Sequence, residues 1–170
     1  ATLSLGDGTT AGTLDSGSAI TDNGTLTFNA PANVTYAGVL SGTGVVNKLG
    51  TGILTLGNSS SNSTYSGGTT VNAGTLKAGS SYAPFGTNTV TVASGASVDV
   101  NGKTIANNIT LEGTGVAGYA LFNSSSTTGT VSGGITLANS ATIGGANPVK
   151  VSGVISGASK ALTIAGTSTV

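Results

Sequence analysis

A triplet of apolar, polar and apolar residues recurs along this chain, and it constrains the fold more than any other feature. It appears as Leu3-Ser4-Leu5, Leu26-Thr27-Phe28, Leu54-Thr55-Leu56, Leu76-Lys77-Ala78 and Val90-Thr91-Val92. It returns as Val98-Asp99-Val100, Ile109-Thr110-Leu111, Ile135-Thr136-Leu137 and Leu162-Thr163-Ile164. Each triplet reads as a short strand with two side chains turned in and one turned out. Central residues 4, 27, 55, 77 and 99 are separated by 23, 28, 22 and 22, and residues 110, 136 and 163 by 26 and 27. Such a period is the mark of a repeat architecture. The register blurs around Thr91, Asp99 and Thr110, which predicts an insertion or an irregular turn there. Helix is disfavoured, because glycine is frequent and β-branched residues dominate the ordered stretches.

The segment Tyr65–Gly79, YSGGTTVNAGTLKAG, sharpens the question. Val71 and Leu76 both look like core residues, yet they are five apart, and on one strand an odd separation faces opposite sides. The chain must bend at Asn72-Ala73-Gly74. That bend is either a hairpin turn or the corner of a coil that keeps winding. Asn23-Gly24 and Asn101-Gly102 suit sharp corners, since both residue types tolerate left-handed angles, but Asn-Gly is also the favoured hairpin pair. Repetition decides for the coil, because a sandwich needs no fixed period of this length. The expectation is an all-β, right-handed parallel β-helix, or β-solenoid, its hand following from the crossover rule. It would have about seven rungs over a single segment, residues 1–170. At ~4.8 Å per rung the rod would be ~34 Å tall. Phe28, Tyr36, Phe85 and Phe122 are expected to stack inside or to cover corners. The echo of GVLSG (residues 38–42) in GVISG (153–157), and of ATLSLG (1–6) in GTLKAG (74–79), supports the repeat.

Composition bounds the alternatives. Gly, Thr, Ser and Asn number 29, 29, 22 and 14, more than half of 170 residues, a bias that could signal disorder. Hydrophobic residues still make up 37%, mean hydropathy is positive and charge is only 6%, the opposite of a disordered chain. Cys, Met, Trp, His, Arg and Gln are absent. No disulfide or thiolate chemistry is therefore available. A net charge of zero offers no footprint for nucleic acid. No apolar run reaches transmembrane length, so this segment is not expected to insert in a membrane. The lack of Met at position 1 and of a signal peptide predicts an excerpt of a longer chain.

Chemistry is sparse. Parallel β-helices include carbohydrate-active enzymes, which need clustered carboxylates with basic partners. Here the acids are Asp7, Asp15, Asp22, Asp99 and Glu112, and the first three are spaced by eight and seven, less than one period. They read as exposed turn residues. Leu5–Gly12 is a partial, unrepeated match to the calcium-binding β-roll signature. Gly67–Gly74 lacks the P-loop lysine and a following helix. No catalytic residue, metal or cofactor is expected. Sequons at Asn23, Asn33, Asn58, Asn62, Asn108 and Asn123 arise readily in so Asn- and Ser/Thr-rich a chain. Residues 57–64 and 123–129 read as polar loops projecting from the rod, able to touch carbohydrate or a protein.

The stretch Asn62–Gly79 resembles the passenger-associated repeat of bacterial autotransporters, the type V secreted proteins. Residues 38–57 look like the first half of that repeat, 88–115 like the stretch that follows it, and 149–166 like the start of the next. The resemblance implies a right-handed parallel β-helix exported across two membranes, usually with a signal peptide and a C-terminal barrel. It implies that the repeat serves folding and stability of the rod and not catalysis. The corner motif carried by the resemblance is Tyr65, Gly67, Gly68, Asn72 and Gly74. The resulting expectation is a non-enzymatic extracellular rod on a bacterial surface, supporting adhesion or display. Its partners would be flanking rungs of the same chain, or a surface protein or carbohydrate receptor. An alternative is a fibre made by end-to-end stacking, suggested by the nearly uncharged segments at residues 1–6 and 161–170.

Overall fold

The computed structural model describes residues 1–167. Among them lie twenty strands, none longer than five residues, and one 3-10 turn at Val116–Gly118. One sheet has eight strands: β1 (Thr2–Leu5), β3 (Thr25–Phe28), β6 (Val45–Lys48), β8 (Thr69–Val71), β10 (Val90–Val92), β13 (Ile109–Leu111), β16 (Ile135–Leu137) and β19 (Ile155–Ser156). A second has seven: β4 (Val34–Tyr36), β7 (Ile53–Leu56), β9 (Gly74–Ala78), β11 (Ala96–Asp99), β14 (Leu121–Phe122), β17 (Ala141–Gly144) and β20 (Leu162–Ile164). The third side is completed by β12 (Thr104–Ile105), β15 (Gly129–Val131) and β18 (Val149–Val151), and near the start by the pair β2 (Ile20–Thr21) and β5 (Leu40–Ser41). Every pairing is parallel, from β1 with β3 to β17 with β20. Short parallel strands that alternate between sheets can only wind as a coil. The molecule is a β-solenoid of about seven turns.

Val71 and Leu76 lie in different sheets, on β8 and β9. The bend between them is thus a corner of the coil.

The register corrects the period read from the triplets. The outward column of the eight-stranded sheet runs Ser4, Thr27, Asn47, Thr70, Thr91, Thr110, Thr136, Ser156. Successive partners are therefore 19 to 26 residues apart. Thr55, Lys77, Asp99 and Thr163 belong to the other sheet. The intervals 27 to 55 and 136 to 163 had crossed from one face to the next. Thr91 and Thr110 are direct partners with the shortest spacing, so the expected irregularity is not between them. The longest turn follows Thr110, and it contains the 3-10 turn. The sequence echoes are not positional equivalents either. Residues 1–6 and 74–79 lie on different sheets, as do Leu40 and Ile155.

The interior is a set of apolar ladders. On the seven-stranded sheet Val34, Leu54, Leu76, Val98, Leu121, Ile143 and Ile164 are stacked partners. On the eight-stranded sheet the two inward columns begin Leu3-Leu26-Val46 and Leu5-Phe28-Lys48. Polar residues enter them at Thr69, between Val46 and Val90, and at Lys48, between Phe28 and Val71. Phe28, Tyr36, Tyr65 and Phe85 are buried, and the rings of Phe28 and Tyr36 meet at 6.2 Å. Phe122 departs from expectation. It occupies the outward position beside Asp99 and is only half-buried. Asparagines fasten corner to corner. Asn33 Oδ1 accepts from Ile53 N at 2.9 Å, Asn101 Nδ2 donates to Ala78 O at 2.8 Å, and Asn108 Oδ1 accepts from Gly134 N at 2.9 Å. These bonds satisfy backbone groups that strands leave unpaired where they end.

Candidate functional site

The corner motif is assembled from three turns of the coil. Tyr65 is fully buried, and its hydroxyl lies 2.6 Å from Thr69 Oγ1. Thr69, an inward residue of β8, in turn donates to Phe85 O at 3.4 Å. Asn107 Nδ2 reaches Phe85 O, Gly86 O and Asn88 O on the next turn. Burial pushes the Tyr65 phenol well above its ordinary pKa, against a smaller lowering by the Thr69 bond. A phenol in an apolar interior is stable only with a partner, and Thr69 supplies one.

The glycines have different tasks. Gly67 N donates to Gly44 O at 3.1 Å, and a Cβ there would sit 2.4 Å from that oxygen. Gly68 has φ +91°, and its carbonyl accepts from Val46 N at 3.0 Å. Gly74 has φ +67°, with its missing Cβ 2.5 Å from Gly52 O. Asn72 is exposed, and its backbone N donates to Lys48 O at 2.8 Å. The left-handed residue of this corner is Gly74, not Asn72. Only at Asn101-Gly102 do both members of an Asn-Gly pair take positive φ, 48° and 68°, and Lys103 N closes that turn onto Val100 O at 2.8 Å. Even there the turn leads from one sheet of the coil to another, and no hairpin forms.

Lys48 is the residue that local reading missed. It is 2% exposed, and its Nζ donates to Gly50 O and, at 3.0 Å, to Ala73 O. Desolvation lowers its pKa to about 8. The available signal was its position two after Val46 on one strand, hence on the same inward side.

The acids are dispersed. Asp7 Oδ1 accepts from Thr9 N, Thr9 Oγ1 and Thr10 N within an exposed loop, which holds its carboxyl down at about 2. The acidic residue of the β-roll-like stretch is therefore engaged by its own loop. Asp15 and Asp22 cap turns through Gly17 N and Gly24 N. Asp99 is 2% exposed, paired with Lys77 at 3.5 Å, and accepts from Asn101 N and Ser124 N. Lys77 Nζ also reaches Ser124 Oγ at 3.0 Å. Among the described residues no three Asp or Glu side chains gather into a group able to hold a metal. Among the described residues no helix is long and apolar enough to cross a membrane.

The two polar loops are exposed along most of their length and anchored by their asparagines. Asn58 bonds Ser60 N, Ser61 N and Ala37 O, while Ser63 is buried. Asn123 is buried, and its amide donates to Thr127 O and Pro148 O. In the segment 161–170, residues 168–170 lie outside the described residues.

Residues 46–78 match the family described as passenger-associated-transport-repeat. That span contains Lys48, Tyr65, Thr69 and the whole corner through Gly74. A relative, "Adhesin BmaC autotransporter" from Brucella suis biovar 1 (strain 1330), is 47% identical over 76 residues, 44% of this chain and 2% of its own length. The chain thus spans a small fraction of that curated relative. No solved structure matches it. The matched repeat and the adhesin relative together support an autotransporter passenger segment, and the parallel β-solenoid agrees with the fold that the resemblance of residues 62–79 implies.

Proposed function

We propose that this segment is a stiff, non-enzymatic length of an extracellular passenger, holding adhesive or displayed parts away from a bacterial surface. The observation that carries the reading is the uninterrupted parallel ladder over an apolar interior, into which Tyr65 of the matched repeat is packed. Each turn gains its stability from its two neighbours, so the object resists bending and local opening. The adhesin relative favours a surface-exposed or secreted setting and a supporting role in adhesion.

Electron microscopy over a range of protein concentrations tests the reading. Separate rods of constant length, ~34 Å for about seven turns, are expected. Filaments that lengthen with concentration would overturn it in favour of end-to-end stacking as the working principle.

A further inference from the structure

The turn that follows Thr110 is the longest in the coil, 26 residues to its partner Thr136. Its additional chain forms two projections, the segment around the 3-10 turn Val116–Gly118 and the loop after Asn123. Both flank β14, whose outward residue is Phe122. On the next turn the register partner of Phe122 is Gly144, followed by Gly145, so no side chain covers the ring from that side. The result is an open groove of about 340 Å³, lined by Val116, Tyr119, Phe122, Ser124, Gly145 and Asn147 among others. That volume falls at the lower end of small-molecule sites, roughly 300–1,000 Å³. Elsewhere in this outward column stand Thr35, Thr55, Lys77 and Asp99. An aromatic ring is placed outside at this point alone of the column, within the one turn that is lengthened on both sides of it.

We propose that this groove binds a neutral sugar ring. The face of an aromatic ring is electron-rich and accepts the apolar C–H face of a pyranose. The sugar's hydroxyls both donate and accept, which suits the Tyr119 phenol, the carbonyl of the Asn147 amide, whose Nδ2 donates to Asn123 O at 3.5 Å, and the Ser124 hydroxyl, whose long 3.4 Å bond to Asn101 Oδ1 a ligand can replace. Charge complementarity selects a neutral ligand. The nearest carboxylate, Asp99, is buried and bonded by Lys77, Asn101 N and Ser124 N, and Lys77 is in turn neutralised by it. An anionic sugar would find no unpaired cation, and a cationic one no available carboxylate. Ser124 joins groove and ion pair, accepting from Lys77 Nζ at 3.0 Å while its side chain remains exposed. The assignment does not depend on how the rod is exported or displayed.

Saturation-transfer and amide-shift NMR on the intact 170-residue chain, with methyl glycosides of glucose, galactose, mannose and N-acetylglucosamine as probes, decides it. Millimolar binding of at least one probe is expected, with shifts confined to residues 116–124 and 145–147. Phe122→Thr places in the column the residue found at Thr35 and Thr55, and should weaken binding about tenfold while the amide spectrum stays folded. Ser124→Ala, at an exposed site, should weaken it less. Absence of shifts with every neutral glycoside overturns the proposal. So does binding that survives Phe122→Thr, and so does a preference for hexuronates or for an apolar peptide.

Discussion

The ammonium of Lys48 donates to the carbonyl oxygen of Ala73, 25 residues further along the chain, at 3.0 Å. The same group donates to Gly50 O, so one inward lysine ties the corner before β7 to the corner before β9. A charge in an apolar ladder is costly even with two carbonyl acceptors, and that cost depends on pH.

Burial lowers the Lys48 pKa from 10.5 to about 8. Between these values the unfolded chain binds the proton and the folded chain does not, so stability rises with pH across that window. Tyr65 and Tyr36 act in the opposite sense. Desolvation raises both phenols above 10.0, so the unfolded chain ionises first and stability falls as pH climbs beyond that value. Urea midpoints measured from pH 7 to 11 should therefore rise and then turn over. Lys48→Met should abolish the rising limb, and Tyr65→Phe should shrink the falling one.

Gly74 and Gly95 both have positive φ, 67° and 85°, but only Gly74 faces backbone where a Cβ would stand. Gly95→Ala should cost about 1 kcal/mol from backbone strain alone. Gly74→Ala carries the same strain plus a collision with Gly52 O, and should cost at least about 2–3 kcal/mol. Equal midpoint shifts for the two variants would count against the close stacking of these corners.

The Tyr65–Thr69 pair should be strongly coupled. Thr69→Val leaves a buried phenol without its partner and should cost about 1–3 kcal/mol. Tyr65→Phe should cost about 1 kcal/mol, since Thr69 keeps Phe85 O as an acceptor. The double variant should lose clearly less than the sum of the two. Additive losses in a double-mutant cycle would mean that the bond contributes nothing specific.

Asp99 and Lys77 are unequal partners. Asp99 is buried and accepts two backbone N–H groups, whereas Lys77 is 28% exposed. Asp99→Ala strands both donors and should destabilise by about 2–4 kcal/mol. Lys77→Met should cost about 1 kcal/mol or less. Thermal unfolding of the two variants separates these outcomes, and a Lys77 loss equal to that of Asp99 would contradict the assignment.

The nine strands that carry the quoted triplets were legible because their signal is local: two apolar residues flanking a polar one turn inward together whichever sheet holds them. The assignment of triplets to faces was not. Both large sheets use the same pattern, as at Thr91 and Asp99, and only the corner lengths between them say which face comes next. The glycines of the corner came with the resemblance, and the close approach at Gly67, where a Cβ would sit 2.4 Å from Gly44 O, becomes visible only once the turns are stacked. Asn72 was harder to read, since the left-handed step falls two residues later. Phe122 lies outside because Leu121 beside it takes the inward column. A rule that sends aromatics to the core cannot see that choice. Lys48 was not legible because a charged residue at an inward position breaks the apolar pattern that marks the interior.

The strands of every turn pair with partners 19 to 26 residues away. Under a stretching force, the molecule is therefore a spool. An end turn can be peeled without disturbing the others, and each one released pays out about 60–90 Å of slack at ~3.3–3.6 Å per residue. An extension trace would climb as a staircase with nearly equal treads. The broadest tread would belong to the turn after Thr110, the one that carries the outward-facing Phe122.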